Sequence, residues 1–171
     1  MKSVSSRLFI LGLLIALGQG MASRAEAGAP TWSKKIAGAP RFKPALDGGA
    51  VLDQETNLIW EKSPDTTARN WLDAQDFCNN KIVDGRGGWR LPTVQEMTSL
   101  TDQTQFGPAL PIGHPFTNVQ SDYYWLATAS AGFPNEAWLS WLPNGVVRTG
   151  LKTLTYFVWC VRGSQGSSDA Q

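Results

Sequence analysis

A chain of 171 residues that carries 15 basic and 14 acidic side chains has no charge surplus with which to grip a nucleic acid or an anionic lipid surface. Its two cysteines and single histidine are also too few for a structural zinc site, which takes four such ligands. Eight tryptophans, by contrast, supply large aromatic surfaces for a core or for a binding face, and composition alone does not say which.

Residues 1–27 combine Lys2 and Arg7, the apolar run LFILGLLIAL and small residues at Ala25 and Ala27. This pattern reads as a secretory signal peptide, with cleavage after Ala27 or Ala25. About 10 apolar residues span only about 15 Å as a helix, whereas a bilayer needs ~20, so no integral membrane segment is expected after cleavage. No cysteine lies near either cleavage site to carry a lipid anchor. The loss of Lys2, Arg7, Arg24 and Glu26 leaves the remainder close to neutral. Residues 28–40, rich in Gly, Ala and Pro, read as a flexible linker, and residues 164–171 (SQGSSDAQ) as a disordered tail. Between them, residues 41–163 form one expected domain of about 120 residues, enough to bury somewhat over 60% of its unfolded surface.

Within that domain, AVLDQETNLIWEK sets two apolar runs around the polar stretch 53–57, the pattern of a β-hairpin. Residues 64–67 (PDTT) read as a break. A helix is then expected over WLDAQDFCNN, with Asn70 as N-cap, Asp73 at its third position, and Trp71, Ala74, Phe77 and Cys78 on one face. In GRGGWRLPTVQEM the glycines make a turn, Trp89 anchors a core, and Arg90 is expected to pair with a carboxylate of the fold. Pro92 keeps Leu91 out of helical conformation, and Thr93 with Glu96 forms a capping box ahead of Val94, Met97 and Leu100.

Residues 101–121 form a long irregular stretch that holds His114. No serine, cysteine or second histidine stands at a recognisable spacing from it, so a catalytic role is not expected. The remainder is strand material: YYWLATAS, then AWLSWLPNGVVRTG with an Asn144-Gly145 turn, then YFVWCVRG. Alternation puts Trp138, Ser140 and Leu142 on one face and Leu139 with Trp141 on the other; Tyr156, Val158 and Cys160 share a face of the last strand. Export places Cys78 and Cys160 in an oxidising compartment, where a disulfide is the natural reading and two separate buried thiols the alternative.

The succession VLDQETNLIW, NWLDAQDFC, GGWRLPTVQEM, YYWLATAS, AWLSWLPNGVV and YFVWCVRG resembles the Lcl C-terminal domain family, named for a bacterial collagen-like adhesin. The Arg-Leu-Pro-Thr helix start is similar to that of the formylglycine-generating enzymes. The resemblance implies an α+β, C-type-lectin-like fold, with two short helices packed on antiparallel sheet beside a long irregular region. It also implies a disulfide from the first helix to the final strand, which suits Cys78 and Cys160. The sequence departs from calcium-dependent lectins, lacking their Glu-Pro-Asn and Trp-Asn-Asp signatures, so no metal or other cofactor is expected. It departs from the formylglycine-generating enzymes too, since a disulfide would consume both cysteines, and an enzyme is not expected.

The signal pattern makes the protein exported, periplasmic or extracellular, and the resemblance implies a binding module for a glycan or a surface protein; the alternative is a structural subunit of a surface or periplasmic complex. In lectin-like folds the ligand face lies before the last strands, which places it here among Tyr123, Tyr124, Phe133, Asn135, Glu136 and Arg148. Contacts of this kind are weak singly and gain from several copies, so an oligomer is compatible with the reading.

Overall fold

The computed structural model describes residues 40–163; the expected signal peptide, nearly all of the linker and the tail lie outside the described residues. The hairpin read from AVLDQETNLIWEK is β2 (Ala50–Asp53) paired with β3 (Leu58–Glu61), in register Val51 to Trp60 and Asp53 to Leu58. Asn57 closes the turn with a φ of 58°, a left-handed conformation that asparagine tolerates better than most residues. The first sheet adds β1 (Phe42–Ala45) at one edge, and β10 (Val161–Arg162) and β5 (Trp89–Arg90) at the other, in the order β1-β2-β3-β10-β5.

The second sheet runs β4-β9-β6-β7-β8, from β4 (Asp65–Arg69) and β9 (Tyr156–Val158) through β6 (Tyr123–Ala129) and β7 (Glu136–Trp141) to β8 (Val146–Leu151). Three features depart from the sequence reading. Residues 65–69 are a strand rather than a break, because the outer side of β9 needs a partner and the Asp65–Arg69 ion pair steadies the short segment beside it. The last strand is split, with Trp159 and Cys160 turning the chain from the second sheet into the first. The β6–β9 pair, at Tyr124 and Phe157, is parallel while every other pair is antiparallel.

Helix α1 (Trp71–Asn79) begins as its sequence dictates, the Asn70 side chain accepting from the Asp73 N–H. Its indole anchors the start, Trp71 Nε1 donating to the Leu126 carbonyl of β6 at 2.8 Å. Helix α2 (Val94–Leu100) carries the full capping box. The Thr93 hydroxyl accepts from the Glu96 N–H at 3.2 Å, and the Glu96 carboxylate accepts from the Thr93 N–H at 2.8 Å.

Two apolar clusters lie on opposite faces of the second sheet. Tyr124, Leu126 and Leu142 look toward Trp60, Met97, Leu100 and Trp159, while Trp125, Leu139 and Val158 look toward α1, Trp89 and Leu91. The irregular residues 101–121 lie along the first cluster: Phe116 sets its ring edge-on to Trp159 at 5.0 Å, and Ala109 N–H bonds the Leu142 carbonyl at 2.8 Å. The Cys78–Cys160 disulfide crosses the second cluster with a Cα–Cα distance of 5.5 Å and joins α1 to the turn between the sheets. Cross-linking residues 82 apart removes unfolded-state entropy worth about 4.5 kcal/mol in the chain-entropy account. Beside it, burial pushes the Glu61 carboxyl up even though Lys81 sits 2.6 Å away.

Candidate functional site

Most tryptophans are spent on architecture. Trp60, Trp89, Trp125 and Trp159 are fully enclosed. Three of these indole N–H groups reach a backbone carbonyl: Trp89 to Arg86, Trp125 to Arg69, and Trp159 to Glu61. The expected partner of Arg90 is Glu96, held bidentately at 2.7 and 2.8 Å. Burial alone would raise the Glu96 carboxyl, but the two guanidinium bonds and the Thr93 N–H outweigh it and hold the group below its ordinary value. The polar groups of Trp89, Arg90, Thr93 and Glu96 are thus satisfied from within the fold.

A different arrangement appears where β9, β6, β7 and β8 lie side by side. Each contributes one side chain to the same face: Tyr156, Tyr123, Trp141 and Arg148. Tyr123 lies 4.4 Å from Trp141 and 5.6 Å from Tyr156, centroid to centroid, and the Arg148 guanidinium sits 3.9 Å above the Tyr123 ring. The three rings are half-buried and Arg148 is exposed. The face exists because strand alternation carries Trp125 and Leu139 into the core beneath α1, and the next positions on that side are Tyr123, which packs with Tyr156 against the rim of that cluster, and Trp141, one strand further out. Gly150 lets Leu139 pack close against β8 beside the row: a Cβ there would stand 2.7 Å from Leu139 and 3.6 Å from Tyr156.

Of the six positions expected to form a ligand face, Tyr123 and Arg148 meet in this row. Tyr124 does not belong to a surface. Adjacent strand residues point to opposite faces, so it enters the first cluster, fully buried, with its hydroxyl accepting from the Gln120 N–H at 2.7 Å. Phe133, Asn135 and Glu136 lie at the far end of the β6–β7 hairpin, since Tyr123 pairs with Trp141 whereas Ala129 pairs with Ala137. That separation is about six strand residues, or ~20 Å, so the six do not converge. The missed members, Trp141 and Tyr156, were visible as aromatic strand residues, but only the strand order brings Tyr156 beside Tyr123.

At the hairpin tip a second surface forms around Lys152. Its N–H bonds the Asn135 carbonyl, its ammonium donates to the Pro134 carbonyl at 2.8 Å, and it lies 4.5 Å from the Trp71 ring centroid. An open cleft of 530 Å³ lies there between Lys152, Thr153 and the first turn of α1. The Pro134 and Asn135 carbonyls and the Ser130 hydroxyl of that tip are taken up in closing the loop.

His114 stacks on Phe116 at 5.9 Å, its Nδ1 buried without a hydrogen-bond partner among the described residues, and burial lowers its pKa. Among the described residues no group of three or more His, Cys, Asp or Glu side chains could hold a metal, and no helix is long and apolar enough to cross a membrane.

Residues 49–162 match the Lcl C-terminal domain family, from the β2–β3 hairpin through both helices to the end of β10. The chain belongs to that family. No curated protein matches it. Both cysteines and the Trp-Arg-Leu-Pro-Thr helix start fall within the Lcl C-terminal match, and so does the whole four-strand aromatic row.

Proposed function

We propose that the protein is an exported, non-enzymatic, adhesin-like binding module with a C-type-lectin-like fold, which recognises a glycan through the row Tyr156, Tyr123, Trp141 and Arg148. The row itself carries this reading. Three half-buried rings and one exposed guanidinium converge on a rigid sheet, where stability alone favours neither the exposure nor the charge. Aromatic faces take up the C–H faces of sugar rings, and a guanidinium held by a ring retains five N–H donors in a fixed fork for hydroxyl oxygens. Membership of a family named for an adhesin supports binding as the task, and a disulfide fits an oxidising compartment. Binding at a single row is weak, so attachment depends on several copies acting together.

A protein partner is favoured by one observation. Leu72, Phe133, Leu151 and Leu154 are each about half or more exposed, on segments stitched together at Lys152. A glycan-array screen of the full chain, with and without calcium, separates the readings. Calcium-independent binding that Trp141→Ala abolishes supports the row; binding that survives Trp141→Ala but fails on Phe133→Ala assigns recognition to the hairpin tip.

A further inference from the structure

Strand β8 is the outer strand of the second sheet, and its free edge can pair with an antiparallel copy of itself. Three hydrogen bonds fix which groups face outward. Ser130 N–H to the Glu136 carbonyl and Leu142 N–H to the Asp122 carbonyl turn the even-numbered residues of β7 toward β6, and Lys152 N–H to the Asn135 carbonyl turns the odd ones toward β8. With Leu139 paired to Arg148 and Ala137 to Gly150, the even residues of β8 face β7. Val147, Thr149 and Leu151 therefore aim their N–H and C=O groups away from the sheet. Among the described residues only one of these six groups is taken, the Leu151 carbonyl, which accepts from Leu154 N–H.

The other sheet edges are blunted in ways that resist pairing. β1 presents Lys43 and Pro44, β5 is two residues long, and the ladder of β4 shifts register between Asp65 and Arg69. β8 runs six residues without proline and ends in Val146 and Leu151, 51% and 48% exposed. An edge left in that condition is a template for another strand.

We infer that β8 pairs with β8 of a second copy of this chain, antiparallel about a two-fold axis at Thr149. In this register Thr149 faces its own counterpart, Val147 faces Leu151, and Arg148 faces Gly150. About six backbone hydrogen bonds close the junction, with the second lone pair of the Leu151 carbonyl accepting one of them. A shift by two residues in one direction would set Arg148 directly against Arg148 and leave Leu151 without an apolar partner, and in the other would set Arg148 against Lys152; both oppose like charges. The chosen register instead stands each guanidinium over a glycine and buries Val147 against Leu151 on the opposite face. The two sheets become one continuous ten-stranded sheet. One consequence rests on the proposed reading of the aromatic row: the two Arg148 positions become diagonal neighbours, ~7–8 Å apart, so two rows adjoin on one face.

Sedimentation velocity of the full, oxidised chain over a concentration series tests the pairing without reference to any ligand. The wild type shows a monomer–dimer equilibrium. Thr149→Pro, which deletes an outward N–H that the monomer does not use, loses the dimer at unchanged melting temperature. Thr149→Cys becomes a covalent dimer on mild oxidation, since paired residues lie ~5.5 Å apart, whereas Val147→Cys, ~13 Å from its copy, does not. A wild type that stays monomeric at every concentration overturns the inference, as does a folded Thr149→Pro variant that still dimerises. Should Thr149→Pro fail to fold, the cysteine pair decides alone: trapping at 149 supports the register, and trapping at 147 or at neither contradicts it.

Discussion

The stretch 85–97 and the row on β9, β6, β7 and β8 both combine aromatic and cationic side chains, yet they keep opposite accounts of them. In the first, Trp89 is enclosed and its N–H bonds the Arg86 carbonyl, while Arg90 is locked on Glu96, which is itself locked on Thr93. In the second, three rings remain part-exposed and Arg148 rests on Tyr123, its one side-chain partner among the described residues. A motif can look deliberate because folding demands it. Function is better sought where side chains carry chemistry that the fold leaves unused.

The comparison can be broken first at its most expensive point. Trp89→Ala empties a fully enclosed site and is expected to cost about 3–5 kcal/mol, read by denaturant unfolding. Ligand binding should fall only in proportion to the unfolded fraction; a folded Trp89→Ala protein that no longer binds would move recognition into the 85–97 stretch. Replacing both cysteines by alanine comes next, at about 2–4 kcal/mol, below the ~4.5 kcal/mol of the chain-entropy account because the reduced unfolded chain keeps some structure. Non-reducing peptide mapping of the exported protein should show Cys78 joined to Cys160, and two free thiols there would contradict the link between α1 and the turn.

A smaller effect sharpens the same contrast through pH. Glu96 has a folded pKa below the unfolded value of 4.5, so its contribution is present above that value and is lost as pH falls through the folded pKa. Glu61 works in the opposite sense: its raised pKa favours the folded state most below 4.5, and that advantage disappears as pH rises through the folded value. Comparing acid-unfolding curves of the wild type, Glu96→Gln and Glu61→Gln should separate the two. The acid-side loss of stability shrinks in Glu96→Gln and steepens in Glu61→Gln. Thr93→Ala, which removes one cap bond, is expected to cost about 1 kcal/mol by thermal melting.

How far the fold was legible follows local chemistry. Asn70 with Asp73, and Thr93 with Glu96, are short-range bonds between neighbours in sequence, and both helices begin where those residues say. The hairpins at 53–57 and 142–145 were readable from apolar runs around polar turns. β4 was not, since DTTAR has neither alternation nor apolar bulk and is a strand only because β9 lies beside it. The same limit governs the candidate site. Tyr123 and Arg148 were singled out and do meet, but Tyr156 joins them through a parallel pairing between strands some thirty residues apart, which no local pattern reports. Tyr124 was misplaced by proximity to Tyr123 along the chain, although one step along a strand is a change of face.

The most direct test of the central claim is a double variant, Trp141→Ala with Arg148→Ala, in which both changes fall on side chains left part-exposed by the fold. Its melting temperature is compared with that of the wild type, and its binding is measured by calorimetry against a glycan selected on the array. The predicted result is a melting temperature within a few degrees of wild type together with loss of binding by at least about tenfold, or ~1.4 kcal/mol. Binding unchanged in the folded double variant would contradict the account.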